Sequence, residues 1–162
     1  MLPFTRPSIG EDEQQAVREV LASGWITTGP RALALEQALA AYLGGRIQVR
    51  LFNSGTSALE AALLACDVGP GDEVIVPAMS FVATANVVLR VGARPRFVDV
   101  DLVSRNLSAD AVAGAINPRT RAVIPVHFAG RPADMAPITA LAESHRLRVI
   151  EDAAQAIGTC IG

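Results

Sequence analysis

The sequence predicts an α/β protein in which helices cover both faces of a mostly parallel sheet. Short apolar runs rich in β-branched residues alternate with Ala- and Leu-rich runs of helical period, which is the pattern of βα units. Apolar residues make up 51% of the 162 residues, enough to bury a sizeable core. No linker, repeat or low-complexity tract interrupts the pattern. We therefore expect one domain with a three-layer α/β/α arrangement.

The first 30 residues are predicted to form a helical segment that precedes the repeats. An amphipathic pattern over Glu11–Ser23 predicts a helix, and Gly24 is typical of a helix end. Pro30 suits the first turn of a second helix, which reaches about Leu43. Residues 31–162 are then predicted to carry the βα repeats.

Five strands and four further helices are predicted along the chain. The strands fall near Ile47–Asn53, Glu73–Val76, Arg96–Val100, Ala122–Val126 and Arg148–Ile150. The helices fall near Thr56–Cys66, Val82–Val91, Ala109–Ile116 and Met135–His145. Because parallel strands end at the same edge of a sheet, the polar residues that follow them are expected to form a ligand site there.

Charge and composition exclude several classes of protein. The net charge is −2 and no basic cluster occurs, so a nucleic-acid surface is not expected. No run approaches the 18 or so apolar residues of a membrane-spanning helix, and no signal peptide is expected. The two cysteines, Cys66 and Cys160, form neither a disulfide framework nor a metal motif. We expect a cytoplasmic protein without a metal ion.

A candidate anion site lies in the segment Ser54-Gly55-Thr56-Ser57, where a strand-like run gives way to a helix. Gly55 would let a phosphate approach the backbone closely, and the helix start supplies free N–H groups and a favourable dipole. The alternative is that a hydroxyl residue here is a plain N-cap.

Two polar residues follow the last predicted strand. Asp152 can face a cationic ring nitrogen and hold it protonated, or it can cap a turn or bind a metal. Gln155 lies three residues further on, where it can donate to a ring hydroxyl or simply be solvated.

Two more residues stand at strand ends. Phe81 begins a helix directly after a strand and can lie flat against a planar ligand, although a single Phe is more often a core residue. His127 is either an acid/base group or a structural histidine with satisfied nitrogens.

Together these segments resemble the DegT/DnrJ/EryC1/StrS sugar aminotransferases, which depend on pyridoxal 5′-phosphate (PLP). The matching segments are 6–10, 23–30, 53–59, 71–77, 81–86, 97–101, 125–130 and 151–156. The resemblance implies the large domain of PLP-transferase fold type I (aspartate aminotransferase-like). It implies phosphate contacts from Gly55 and Thr56, stacking by Phe81, a pyridine-nitrogen carboxylate in Asp152 and a ring-hydroxyl contact from Gln155. It further implies a nucleotide-linked keto sugar as substrate, glutamate or glutamine as amino donor, and a homodimer.

The chain departs from this family in one respect, because all 14 of its basic residues are arginine. The family holds PLP as a Schiff base on a lysine, which would follow the Glu151–Ala156 segment by a couple of dozen residues. We therefore expect the chain to be the N-terminal part of such an enzyme, with the large domain incomplete and the small C-terminal domain absent. Alone it is expected to be inactive and oligomeric or aggregation-prone. A PLP-dependent sugar dehydratase, with histidine in place of the lysine, and a non-catalytic remnant acting as a binding module are the alternatives.

Overall fold

The computed structural model describes residues 6–160. These residues fall into two compact units that divide between Leu51 and Phe52. The sequence patterns placed the end of the helical segment earlier, at residue 30. None of the helices in the described range is long and apolar enough to cross a membrane.

The first unit contains the two helices predicted at the N-terminus. Helix α1 spans Glu11–Ser23 and ends at Gly24, whose left-handed backbone (φ 71°) favours glycine. Helix α2 spans Pro30–Tyr42, with Pro30 in its first turn. No residue of either helix is buried.

The strand predicted over Ile47–Asn53 is wrong. These residues form no strand, and the Leu51 N–H donates to the Glu36 carboxylate (3.0 Å) rather than to a neighbouring strand. An apolar, β-branched run only favours an extended backbone; a strand also needs a partner with which to exchange hydrogen bonds. No strand of the described residues pairs with this run.

The second unit contains the remaining elements close to their predicted positions. Its helices are α3 (Gly55–Ala65), α4 (Ala83–Arg90), α5 (Ala109–Ala115) and α6 (Met135–His145). Its strands are β1 (Glu73–Pro77), β2 (Arg94–Val98), β3 (Thr120–Val123) and β4 (Arg148–Val149). A short 3₁₀ turn covers Phe128–Gly130.

The four strands form one sheet in the order β2-β1-β3-β4, and every pair is parallel. From β1 the chain passes to β2 on one side and then crosses to β3 on the other side. The strand order therefore reverses between β1 and β3. In open parallel sheets ligands bind beyond the carboxyl ends of the strands at such a reversal.

Side chains alternate across the sheet and form two apolar cores. Val74 and Val76 of β1 pack with α3 and α4 on one face, whereas Ile75 packs with α5 and α6 on the other. Strand β3 alternates in the same way, with Ala122 on the first face and Val123 on the second. The predicted three-layer α/β/α arrangement is thus confirmed within the second unit, and its one fully buried strand, β1, is apolar except for Glu73.

Candidate active site

A cavity of about 380 Å³ lies beyond the carboxyl ends of β1, β3 and β4 in the second unit. It is lined by Gly55, Thr56, Leu59, Ser80, Phe81, Ala83, Val126, His127, Phe128, Asp152, Ala154 and Gln155. All five residues that the sequence assigned to a cofactor site are among them. No lysine or arginine lines the cavity within the described part of the chain.

The amino end of α3 forms one wall of this cavity. Ser54 is the N-cap, since its Oγ accepts the Ser57 N–H (3.1 Å), so the plain capping role applies to Ser54 itself. Gly55 and Thr56 follow in the first helical turn, where N–H groups have no helical carbonyl to bind. A Cβ built on Gly55 meets no atom within 4 Å, so the backbone there faces open space. This wall can accept an anion of the size of a phosphate.

Asp152 is placed by backbone bonds that extend the parallel pairing beyond β3 and β4. Its N–H donates to the Pro125 carbonyl (2.9 Å), and its own carbonyl accepts the His127 N–H (3.2 Å). The side chain is half-buried at the cavity wall. Within residues 6–160, no three His, Cys, Asp or Glu side chains are grouped so that they could hold a metal ion.

The carboxylate of Asp152 is oriented by a chain of two hydroxyl groups. Thr84 Oγ1 donates to Asp152 Oδ2 (3.0 Å) and lies 2.6 Å from Ser80 Oγ. The Ala154 N–H makes a longer contact with Oδ1 (3.4 Å). Sequence reasoning gave Thr84 no role. The signal that could have revealed it is a hydroxyl residue among the buried positions of α4, which are otherwise apolar: Ala83, Val87 and Val88.

Phe81 lies at the cavity with 75% of its surface exposed. The alternative of a core residue is therefore wrong for Phe81. An exposed aromatic ring beside an oriented carboxylate offers a flat apolar surface to a planar ligand.

Gln155 supports a strained turn at the cavity rim. Its Oε1 accepts the N–H of Ala129 (2.9 Å), a residue held in the left-handed region at φ 53°. Because a backbone N–H can only donate, the amide oxygen must face Ala129, which leaves the NH₂ group of Gln155 as the donor for a ligand. Gln155 is thus anchored rather than merely solvated.

His127 is a structural histidine. Its Nδ1 accepts the Ala133 N–H (3.1 Å), so the proton of the neutral ring sits on Nε2, which faces the Glu151 carboxylate at 2.8 Å. Both ring nitrogens are therefore used by the protein. Of the two roles that the sequence allowed, the geometry supports the structural one.

Asn106 is a second residue that sequence reasoning missed. It is buried, and both ends of its amide hold the turn that carries Phe128: Oδ1 accepts the Phe128 N–H (3.0 Å) and Nδ2 donates to the Arg131 carbonyl (3.0 Å). Asn106 stands in an irregular segment with no periodic pattern around it, so nothing in the sequence pointed to this contact.

Solved structures of aminotransferases are similar to this chain. DesV of S. venezuelae, in complex with a ketimine intermediate, is 41% identical with a TM-score of 0.88; the match covers 91% of this chain and 40% of DesV. A putative sugar aminotransferase from Streptococcus pneumoniae, in its pyridoxamine 5′-phosphate (PMP) form, is 36% identical with a TM-score of 0.92. The match covers 98% of this chain and 43% of that protein. The same protein is also known in a PLP form.

A third similar structure is a synthase of 3-amino-5-hydroxybenzoic acid, 37% identical with a TM-score of 0.87. The match covers 93% of this chain and 39% of the synthase. The chain thus spans about 40% of the length of these proteins. Fold type I, the fold of these PLP-dependent aminotransferases, is confirmed for the part that it spans.

The family comparison covers almost the whole sequence. The model of the DegT/DnrJ/EryC1/StrS aminotransferase family matches residues 7–162. This range includes every residue of the cavity wall described above. The resemblance inferred from the sequence motifs is confirmed: the chain belongs to the DegT/DnrJ/EryC1/StrS aminotransferase family.

Proposed function

We propose that this chain forms the cofactor-binding part of a PLP-dependent aminotransferase that acts on a nucleotide-linked keto sugar. The observation that carries the proposal is the convergence of three features in one cavity: the open helix start at Gly55, the exposed ring of Phe81 and the oriented carboxylate of Asp152. Each feature suits a different part of one planar, phosphorylated pyridine.

The residues present fit that group. The phosphate would face the free N–H groups of Gly55 and Thr56, where a Cβ would otherwise fill the space. The ring would lie against Phe81, and the NH₂ group of Gln155 would donate to the ring hydroxyl. Asp152 would accept the hydrogen of the ring nitrogen.

PLP, when bound, supplies an electron sink for the substrate carbon. The chain's contribution is to hold the positive charge that this requires. Asp152 keeps a proton on the ring nitrogen because an adjacent carboxylate favours the charged form. Phe81 excludes water from one ring face. None of the 162 residues is a lysine, so an amine that moves protons at the substrate carbon must come from outside this stretch.

The substrate and the donor are part of the proposal. One similar protein supports a sugar, since the Streptococcus pneumoniae protein is named a putative sugar aminotransferase. The 3-amino-5-hydroxybenzoic acid synthase supports a different ring as the second candidate. Conversion of bound PMP to PLP by a nucleotide-linked keto sugar in the intact enzyme, with glutamate or glutamine restoring PMP, is the expected result. Conversion by a cyclic keto compound without a nucleotide, and not by the sugar, would favour the second candidate.

A homodimer in the cytoplasm completes the proposal. Helices α1 and α2 expose large apolar side chains, including Val17, Leu21, Leu33, Leu35 and Tyr42, which a second copy could cover. Cys66 and Cys160 are free thiols, as in reducing compartments. Sedimentation of the intact enzyme should give a dimer, and a monomer at micromolar concentration would contradict this part.

The cofactor site itself is tested by the binding of pyridoxamine 5′-phosphate (PMP), which forms no Schiff base with a lysine. We expect saturable binding that inorganic phosphate displaces. Gly55→Ala should weaken it by at least about tenfold, worth ~1.4 kcal/mol, because the new methyl group occupies the phosphate position.

Gly114→Ala is the matched control, since Gly114 is also a helical glycine whose added Cβ meets no atom within 4 Å. It should leave PMP binding unchanged. Absence of saturable PMP binding in the parent protein, or an equal loss in both variants, would overturn the proposed site.

A further inference from the structure

We propose that Thr84 is a positioning residue for Asp152: with Ser80 it forms a relay of two hydroxyl groups that keeps the carboxylate ionised and turned toward the ring nitrogen. The inference rests on the proposed function, because it concerns the group that Asp152 would face. It extends that function to residues outside the predicted cofactor contacts.

The direction of the relay follows from the number of hydrogens. A threonine hydroxyl has one hydrogen, and Thr84 donates it to Asp152 Oδ2 at 3.0 Å. The 2.6 Å contact between Ser80 Oγ and Thr84 Oγ1 must therefore be donated by Ser80. Both hydroxyl dipoles then point toward the carboxylate, and each strengthens the next.

The hydroxyl of Thr84 is important to Asp152 because it is buried. Thr84 is 1% exposed, so water cannot replace its hydroxyl as a donor. The neighbouring buried positions of α4 are alanine and valine, and valine has the same shape as threonine. Packing alone would thus be satisfied by valine at position 84. A hydroxyl there is explained by the polar group that it contacts.

The relay favours one location for the shared proton. When a carboxylate faces a pyridine nitrogen, the proton can rest on either group, and donors to the carboxylate stabilise its anion. Thr84 therefore keeps the proton on the ring nitrogen. It also limits rotation of the carboxylate, because the only other donor to Asp152 within the described residues is the Ala154 N–H at 3.4 Å.

The test compares PMP with an analogue that has carbon in place of the ring nitrogen. Thr84→Val should weaken the binding of PMP by about tenfold, the loss expected for one hydrogen bond to a charged group. Binding of the analogue should change by less than about twofold, since it offers Asp152 no N–H. Thr84→Ser, which keeps the hydroxyl, should restore PMP binding to near the parent value.

A spectroscopic signature separates positioning from packing. The ¹⁵N chemical shift of the ring nitrogen of bound PMP should be that of a protonated ring in the parent and in Thr84→Ser. In Thr84→Val it should move toward the value of a neutral pyridine. Ser80→Ala should show a smaller shift in the same direction, and it carries the test if Thr84→Val does not fold. Thr139→Val, at an exposed position of α6, is the control and should change nothing.

The outcomes are distinct. Failure of the parent protein to bind PMP would overturn the proposed function and this inference with it. If the parent binds PMP, equal losses for PMP and the analogue in Thr84→Val, or an unchanged ¹⁵N shift, would overturn the role of Thr84 and leave the proposed function standing.

Discussion

A carboxylate lies at each end of the sheet, and the two differ in how many hydrogen-bond donors surround them. At the amino end, the buried Glu73 is surrounded by donors: Asn117 Nδ2 (2.8 Å), Arg119 Nε (2.9 Å) and Arg119 Nη2 (2.7 Å), with Arg96 at 3.8 Å. At the carboxyl end, Asp152 has one hydroxyl donor and one long backbone contact. A saturated carboxylate stabilises the fold, whereas one with spare lone pairs beside a cavity can serve a ligand.

Replacement of Asp152 should have the largest effect, and it should lower the turnover of the enzyme rather than the stability of the fold. In an enzyme that contains this chain together with the lysine, Asp152→Asn should lower turnover by about 100-fold, or ~2.7 kcal/mol, because an amide cannot hold the ring nitrogen protonated. PMP retention should fall much less, since the phosphate wall is intact. Turnover within about threefold of the parent, under 1 kcal/mol, would show that Asp152 has no such role.

Replacement of Glu73 should do the reverse, with a loss of stability and an intact ligand site. The hydrogen bond from Asn117, followed by that from Arg119, holds the pKa of Glu73 below its usual range. The folded protein therefore favours the ionised form. The ionised Glu73 thus adds to the free energy of unfolding. This stabilisation is complete at pH values above the pKa that Glu73 has in the unfolded chain. It is lost as the pH falls through the lower pKa of the folded protein, below about pH 4.

Thermal unfolding across pH measures this effect. At pH 7 Glu73→Gln should lower Tm by several degrees, and the gap to the parent should narrow as the pH falls below about 4. Glu143→Gln, at an exposed position of α6, should follow the parent at every pH. A gap that stays constant down to pH 2 would mean that the charge of Glu73 is not what stabilises the fold.

The smallest of these effects concerns the aromatic wall. Phe81→Ala should weaken PMP binding roughly 2- to 10-fold, the worth of one aromatic contact of 0.5–1.5 kcal/mol, with Tm little changed because Phe81 is exposed. Phe97→Ala is the matched control: Phe97 is also exposed but stands on β2, away from the cavity lining. Equal PMP affinity in both variants would remove Phe81 from the site.

The local elements were predictable because their signals are local. Glu11–Ser23 was bounded correctly by its amphipathic period and by Gly24, and α3 to α6 were found from apolar period and flanking turns. Gly55, Phe81 and Asp152, the proposed cofactor contacts that line one cavity, could be picked out because each stands directly after a strand-like run or at a helix start. Residues that follow the strands of a parallel sheet all lie at its carboxyl edge, although the strand order decides which of them meet there.

Contacts between distant segments were not predictable. The run Ile47–Asn53 has strand propensity, yet whether it pairs depends on a neighbour that the sequence does not specify. The alternatives at Phe81 and His127 also stayed open until the structure exposed the ring of Phe81 and gave both nitrogens of His127 to protein partners.

The βα alternation, the helix ends and the residue types that follow each strand can be read from the sequence alone, because they depend on neighbours along the chain. The position of β1 between β2 and β3, and the contact of Thr84 with Asp152 across 68 residues of sequence, emerge only when the chain is folded. The physical reason is that a hydrogen bond between side chains requires both to be at contact distance. The periodicity of the sequence determines which face of a helix is buried, but not which polar group of a distant segment contacts that face.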